Sequence, residues 1–138
     1  MKPTLVILAA AVLGAGCASG IARVKSGTTY ERYQPYLGTP VDQFTAFRVD
    51  HWELAGPYQV VLWTGVNDAH LLTVWDSCNE LNFAERIGVT STGSSITKFD
   101  SVRVRGQRCP IKEIRRIDVK QMKSDQAAMR AKATAEGG

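Results

Sequence analysis

The sequence predicts a mainly β domain of the α+β class: a small antiparallel sheet or partly closed barrel of about five to six strands, with two short helices and one disulfide. Three observations lead there: apolar runs bounded by turn residues, two Thr/Ser-x-x-Glu spacings that open short helices, and three cysteines, one of which stands apart at the end of a leader. The 138 residues fit one domain. Hydrophobic residues at 44% and charged residues at 22% are ordinary for a packed core, which argues against wholesale disorder and against a multi-span membrane protein.

Residues 1–16 read as a signal peptide: Met1-Lys2-Pro3-Thr4 supplies a positive end, Leu5 to Leu13 an apolar run, and Gly14-Ala15-Gly16 small residues before Cys17. The run is well short of the roughly 20 apolar residues that cross a bilayer. Leu13-Gly14-Ala15-Gly16-Cys17-Ala18-Ser19 resembles a lipobox, in which a peptidase cuts before a cysteine that carries diacylglycerol. It departs from that pattern at Gly14, where Leu is preferred. Ala18 after the cysteine implies an outer-membrane lipoprotein facing the periplasm; the alternative address is the soluble periplasm.

The cysteine count agrees with export. Lipidation of Cys17 leaves Cys78 and Cys109 as an even pair for one disulfide in an oxidising compartment. Closing a loop of about 30 residues stabilises a small domain by on the order of 3–4 kcal/mol. Neither cysteine sits in a Cys-x-x-Cys pair, so the bridge reads as structural rather than redox-catalytic.

The mature chain divides into a small, polar tether at 17–27, a β-rich domain at 28–120 and a tail at 121–138. Thr28-Thr29-Tyr30-Glu31 opens a short helix that sets Tyr30, Tyr33 and Leu37 on one side, limited by Pro35 and ended by Gly38 and Pro40. Strand-like segments follow at Phe44–Leu54, Tyr58–Thr64 and Ala69–Trp75, the last two forming a hairpin around Gly65-Val66-Asn67-Asp68. Val60-Val61-Leu62-Trp63 and Leu71-Leu72-Thr73-Val74-Trp75 are apolar on both faces, which predicts a central pair covered on each side or a closed barrel.

Ser77-Cys78-Asn79-Glu80 opens a second helix, to which Leu81, Phe83, Ala84 and Ile87 lend apolar contacts before Gly88. Ile87–Thr92 and Ser95–Val104 read as a second hairpin with its bend at Ser91–Ser94 and a bulge near Asp100. Ile111, Ile114 and Ile117 repeat every third residue, which fits either helical turns or a strand with a break. From Lys120 onward the chain is a frayed helix or a disordered tail.

No catalytic constellation, cofactor motif or nucleic-acid motif is present, and a non-catalytic binding or accessory module is the leading expectation. His51 beside Asp50 and His70 near Asp68 are the candidates for a metal-binding or hydrolytic site, against the ordinary role of strand-end residues. The aspartates at 42, 50, 68, 76, 100 and 118 read as turn and cap residues. Trp52, Trp63 and Trp75 read as core, with Trp52 beside a turn the one placed to stack on a sugar.

The net charge of +4 is concentrated late in the chain. Arg103, Arg105, Arg108, Arg115 and Arg116 offer a face for anionic lipid or polysaccharide, against the plainer reading of a solvated surface. The expected partners are the membrane, through the lipid anchor, and an envelope protein or anionic polymer.

The string Tyr36-Leu37-Gly38-x-Pro40-Val41-Asp42-x-Phe44, the Trp52 and Trp63 strands, Leu71-Leu72, the Cys78 to Ala84 segment, Phe99-Asp100-x-Val102 and Cys109-x-Ile111-x-x-Ile114-Arg115-x-x-Asp118 carry a resemblance. Over about Tyr30 to Lys120 the chain resembles a family of short proteobacterial envelope proteins known only as a domain of unknown function. The departure is Arg116, where that pattern has proline. The resemblance implies an envelope location and the disulfide; it implies no activity and no catalytic residues.

Overall fold

The computed structural model describes residues 27–137, so the leader, Cys17 and the tether up to Ser26 lie outside the described residues. In chain order the elements are α1 (Gly27–Tyr33), β1 (Leu37–Val41), β2 (Gln43–Thr45), β3 (His51–Gly56), β4 (Gln59–Gly65), β5 (Asp68–Val74), β6 (Gly88–Val89), β7 (Ser95–Thr97), β8 (Ser101–Val104), β9 (Gln107–Ile117) and α2 (Val119–Glu136). Short 3-10 segments stand at Gln34–Tyr36 and Asn79–Phe83.

The hairpin β4–β5, apolar on both faces, sits inside the sheet as expected. Its register places Val60 opposite Leu72, Leu62 opposite His70 and Trp63 opposite Ala69. β3 pairs with β4 on the outer side, and β9 pairs with β5. The other edge of β9 carries β1 beside its C-terminal end and β8 beside its N-terminal end, and β6 lies on β8. The order is β3-β4-β5-β9-β8-β6 with β1 also on β9, antiparallel throughout and curled into a half-barrel, with β2 and β7 as a separate ribbon.

Because β4 and β5 are apolar on both faces, the sheet has a core on each side. One face gathers Val60, Leu62, Leu72, Val74 and Ile114 with Phe44, Leu81, Ile96, Val102 and the two bonded cysteines. The other gathers Val61, Trp63, Leu71 and Ile117 under Tyr33 of α1 and Val119 and Met122 of α2. The isoleucine repeat left open above is strand: the register slips between Thr73–Glu113 and Val74–Ile111, so Lys112 is an extra residue on β9. That bulge lets Ile111 and Ile114 share a face, while Ile117 turns to the opposite core.

Three segments differ from the sequence reading. The strand expected at Phe44–Leu54 is broken: β2 leaves the sheet to pair with β7, and Ala46–Asp50 crosses back, joined by Ala46 N–H to Ser94 O and Asp50 N–H to Trp63 O, both 2.7 Å. The strand expected at Ser95–Val104 is broken at its middle. There the Asp100 carboxylate accepts from the Thr97 N–H at 2.8 Å and the Thr90 hydroxyl at 2.9 Å, a turn cap that sends β8 to β6 and β9 instead. The helix expected after Ser77 is a 3-10 segment without a side-chain cap, and Gln107 Oε1 accepts the Glu80 N–H at 3.4 Å in its place.

The ends of the described chain are helical. α1 is held to β3 through Glu53, which accepts from the buried Tyr33 hydroxyl at 2.7 Å and pairs with Arg32. Burial, with the Glu53 bond, pushes the Tyr33 hydroxyl up to about 12. The segment left open as frayed helix or tail forms α2, capped by Asp118 Oδ1 accepting from the Gln121 N–H at 3.1 Å. Tyr36 donates to Asp125 at 2.7 Å and Lys123 to Val66 O at 2.6 Å, so the first half of α2 is docked.

Cys78 and Cys109 are bonded with Cα atoms 5.4 Å apart and a sequence separation of 31. Replacing both by alanine is expected to lower the unfolding free energy by about 3 kcal/mol in a denaturant titration. A loss below about 0.5 kcal/mol would mean that the bridge restrains nothing the sheet does not already hold.

His70 is buried against Phe44, ring centroids 3.9 Å apart, and its Nδ1 has no hydrogen-bond partner among the described residues. Burial holds the imidazole at about 4, below its usual 6.5, with Asp68 opposing and Arg116 adding to the effect. The unfolded chain therefore takes up a proton that the folded chain refuses, so stability is full above about pH 6.5 and declines as pH falls towards 4. Against parallel titrations of His70→Leu, the native chain is expected to lose on the order of 2 kcal/mol more between pH 7 and 4. Equal losses would show that His70 is not buried neutral.

Candidate functional site

The hairpin β8–β9 turns in two residues, Arg105 and Gly106, whose φ angles of 50° and 82° are both positive. That is the type I′ geometry, in which glycine at the second position avoids strain and Arg105 tolerates it. Val102, Val104 and Cys109 point into the core, so their neighbours point out: Arg103 stands directly opposite Arg108 on the outer surface. Like charges in a cross-strand pair are unfavourable, which makes this an electrostatic cost built into the sheet.

A third guanidinium joins them from elsewhere in the chain. Arg86, in the stretch leading to β6, lines with Ile87, Gly88, Arg103, Arg105 and Arg108 a surface groove of about 560 Å³. Arg105 pairs with Glu80 at 3.3 Å, whereas Arg86, Arg103 and Arg108 have no carboxylate within ion-pairing distance among the described residues. The concentration of positive charge in one concave surface raises the local potential for an anion.

The disulfide positions this groove. It fixes the segment that carries Glu80 and Arg86 to β9 next to Arg108, and Gln107 reinforces it by donating to Ser77 O at 3.2 Å. Bidentate guanidinium donors around one concavity suit phosphate, sulfate or carboxylate oxygens.

The two other arginines of the expected basic face lie apart. Arg115 and Arg116 are seven and eight positions further along β9 than Arg108, about 23 Å or more at strand spacing. Arg115 is engaged by Glu113 at 2.6 Å, and Arg116 lines a different cleft with Tyr36, Leu37, Asp118 and Lys120. The structure thus brings together Arg103, Arg105 and Arg108.

The two histidines do not converge. His51 stacks on Trp63 with centroids 5.2 Å apart, on the face of the second core, whereas His70 stacks on Phe44 in the first, with β4 between their strands. A shared metal or hydrolytic site at His51 and His70 is therefore corrected by strand pleating: the side chains leave opposite faces of the sheet. No cluster of three or more potential metal ligands stands among the described residues. Asp100 and Asp118 cap turns and helix as expected, and Asp68 accepts from Thr64 at 2.9 Å.

Trp52 is half-buried against the first core and Trp63 is buried, but Trp75 is exposed because β5 ends one residue earlier; Lys112 lies 4.9 Å over its ring. Phe83, expected as a helical contact, is 64% exposed at the end of its 3-10 segment. It lines, with Glu85, Arg86 and Arg105, a recess of about 300 Å³ that adjoins the arginine groove. Sequence reasoning missed Arg86 and Phe83; the usable signal was the cysteine pair, which places residues near Cys78 beside those near Cys109.

Comparison with known proteins returns a family model described as a family of unknown function (DUF6491), matched over residues 1–133. No curated protein and no solved structure matches the chain. With that match running over nearly its whole length, the chain belongs to the DUF6491 family of unknown function.

Proposed function

We propose that the protein is an exported envelope protein, lipid-anchored at Cys17 on the periplasmic side of the outer membrane, that acts as a non-catalytic module binding an anionic ligand in the groove of Arg86, Arg103, Arg105 and Arg108. The observation that carries the binding reading is the cross-strand pair of Arg103 and Arg108, which has no carboxylate partner within ion-pairing distance among the described residues and faces the same groove as Arg86. A like-charged pair costs the hairpin stability, and an anion bound between the guanidiniums turns that cost into affinity. The address rests on the leader at 1–16, the odd cysteine at its end, and the bonded pair Cys78 and Cys109, which suits an oxidising compartment.

Two measurements test the reading. Metabolic labelling with a palmitate analogue is expected to mark the native chain and not Cys17→Ser; equal labelling of both, or a chain confined to the cytoplasm with free thiols, contradicts the address. Titration of the full chain with inorganic tripolyphosphate is expected to show affinity that falls steeply with salt. Arg108→Glu replaces a like-charged pair by an opposite one, so it is expected to strengthen the hairpin while weakening tripolyphosphate binding about tenfold. Arg116→Glu, outside the groove, is expected to leave binding unchanged. Loss of binding through Arg116 and not through Arg108 would move the site elsewhere.

A further inference from the structure

From the rim of the arginine groove we infer that this face docks on an anionic phospholipid surface, with Phe83 entering the headgroup region and the guanidiniums of Arg86, Arg103, Arg105 and Arg108 pairing with lipid phosphates. The inference rests on the anionic-groove reading and names the ligand.

Phe83 is the observation that selects a membrane. Its ring is 64% exposed and adjoins Arg86 and Arg105 in one recess, continuous with the groove through those two shared arginines. A soluble anion uses the guanidiniums but has no use for an apolar ring beside them. A bilayer interface uses both, because an aromatic side chain is favoured at the boundary while arginines hold phosphate above it. Each basic residue near an anionic leaflet contributes about fivefold in affinity, so three or four acting together make a steep charge dependence.

The acids in the same place are Glu80, which is committed to Arg105 at 3.3 Å, and Glu85, which lines the recess. Four guanidiniums against two carboxylates leave the face cationic. The segment is also held in place: the disulfide, the Gln107 contacts with Ser77 and Glu80, and the Arg105–Glu80 pair fix the Phe83 turn to the hairpin. An exposed ring on a fastened turn reaches a surface without the ordering cost of a loose loop.

The test uses the full, oxidised chain carrying Cys17→Ser, so that no acyl chain contributes. Flotation is measured with vesicles of phosphatidylcholine alone and with vesicles in which phosphatidylglycerol replaces a third of the lipid. The leader, where retained, carries Lys2 and itself favours anionic vesicles, so the ratio is compared between the parent chain and Phe83→Ser, which share it. The expected ratio is about tenfold or more in favour of the anionic vesicles. Phe83→Ser is expected to reduce binding to anionic vesicles about tenfold and leave tripolyphosphate affinity unchanged, and Phe83→Trp to restore vesicle binding. Because Phe83 is exposed, these changes leave the core intact.

Vesicle binding that is indifferent to Phe83→Ser, with tripolyphosphate still bound, overturns the membrane inference and assigns the groove to a soluble anion or an acidic protein. Absence of tripolyphosphate binding by the parent chain overturns the groove reading beneath it.

Discussion

The bond between Cys78 and Cys109 is the constraint on which the surface chemistry depends. Residues 77–87 contain a single short 3-10 segment and no strand, so no ladder of backbone hydrogen bonds ties them to the sheet. Leu81 is buried beneath them and Ala84 and Ile87 pack half-buried on the same core, but apolar contacts of this kind set depth more than position. The disulfide sets position along β9, and with it the distance of Arg86 and Phe83 from the hairpin tip. A feature that stabilises the fold by restricting the unfolded chain thus also arranges a surface.

β9 is the scaffold to which that constraint is applied. It pairs with β5 along one edge and with β1 and β8 in succession along the other, so it connects the inner hairpin to the arginine-bearing one. The extra residue at Lys112 lies just past the division: residues 107–110 pair with β8, whereas Ile111 and residues 113–117 pair with β5. Bulges sharpen local twist, which accords with a sheet that curls there instead of continuing flat. One face of the sheet is closed by the β2–β7 ribbon through Phe44 and Ile96, and the other by Tyr33, Val119 and Met122.

Much of this framework was legible in the residues. Apolar runs on both faces of β4 and β5 announced either a central pair covered on each side or a closed barrel, of which the first is found, and the cysteine count announced the bridge. What was not legible depended on pairings between distant segments. Ser95–Val104 has the composition of one strand, and only the hydrogen-bonding of Asp100 with Thr97 and Thr90 divides it. A three-residue isoleucine repeat has no unique reading until a bulge is known. The basic face was visible as composition, but strand pleating and distance along β9 separate Arg115 and Arg116 from the groove, and the contribution of Arg86 arises from tertiary structure alone.

The histidines illustrate the same point in the opposite sense. Each has an acidic neighbour in sequence, yet pleating sends His51 and His70 to opposite faces, where each is spent on stacking with an aromatic ring. Chemistry inferred from proximity in sequence needs the register of the sheet before it means anything, whereas the arginines of β8 and β9 meet because that register opposes them.

The dependence of the groove on the bridge is tested most directly by comparing the tripolyphosphate affinity of the oxidised chain with that of the reduced chain, at a temperature where the amides of β4 and β5 stay protected from exchange in both. A clear fall in affinity on reduction, with the core still protected, is the predicted result. Equal affinity in the two states would contradict a groove assembled by the disulfide.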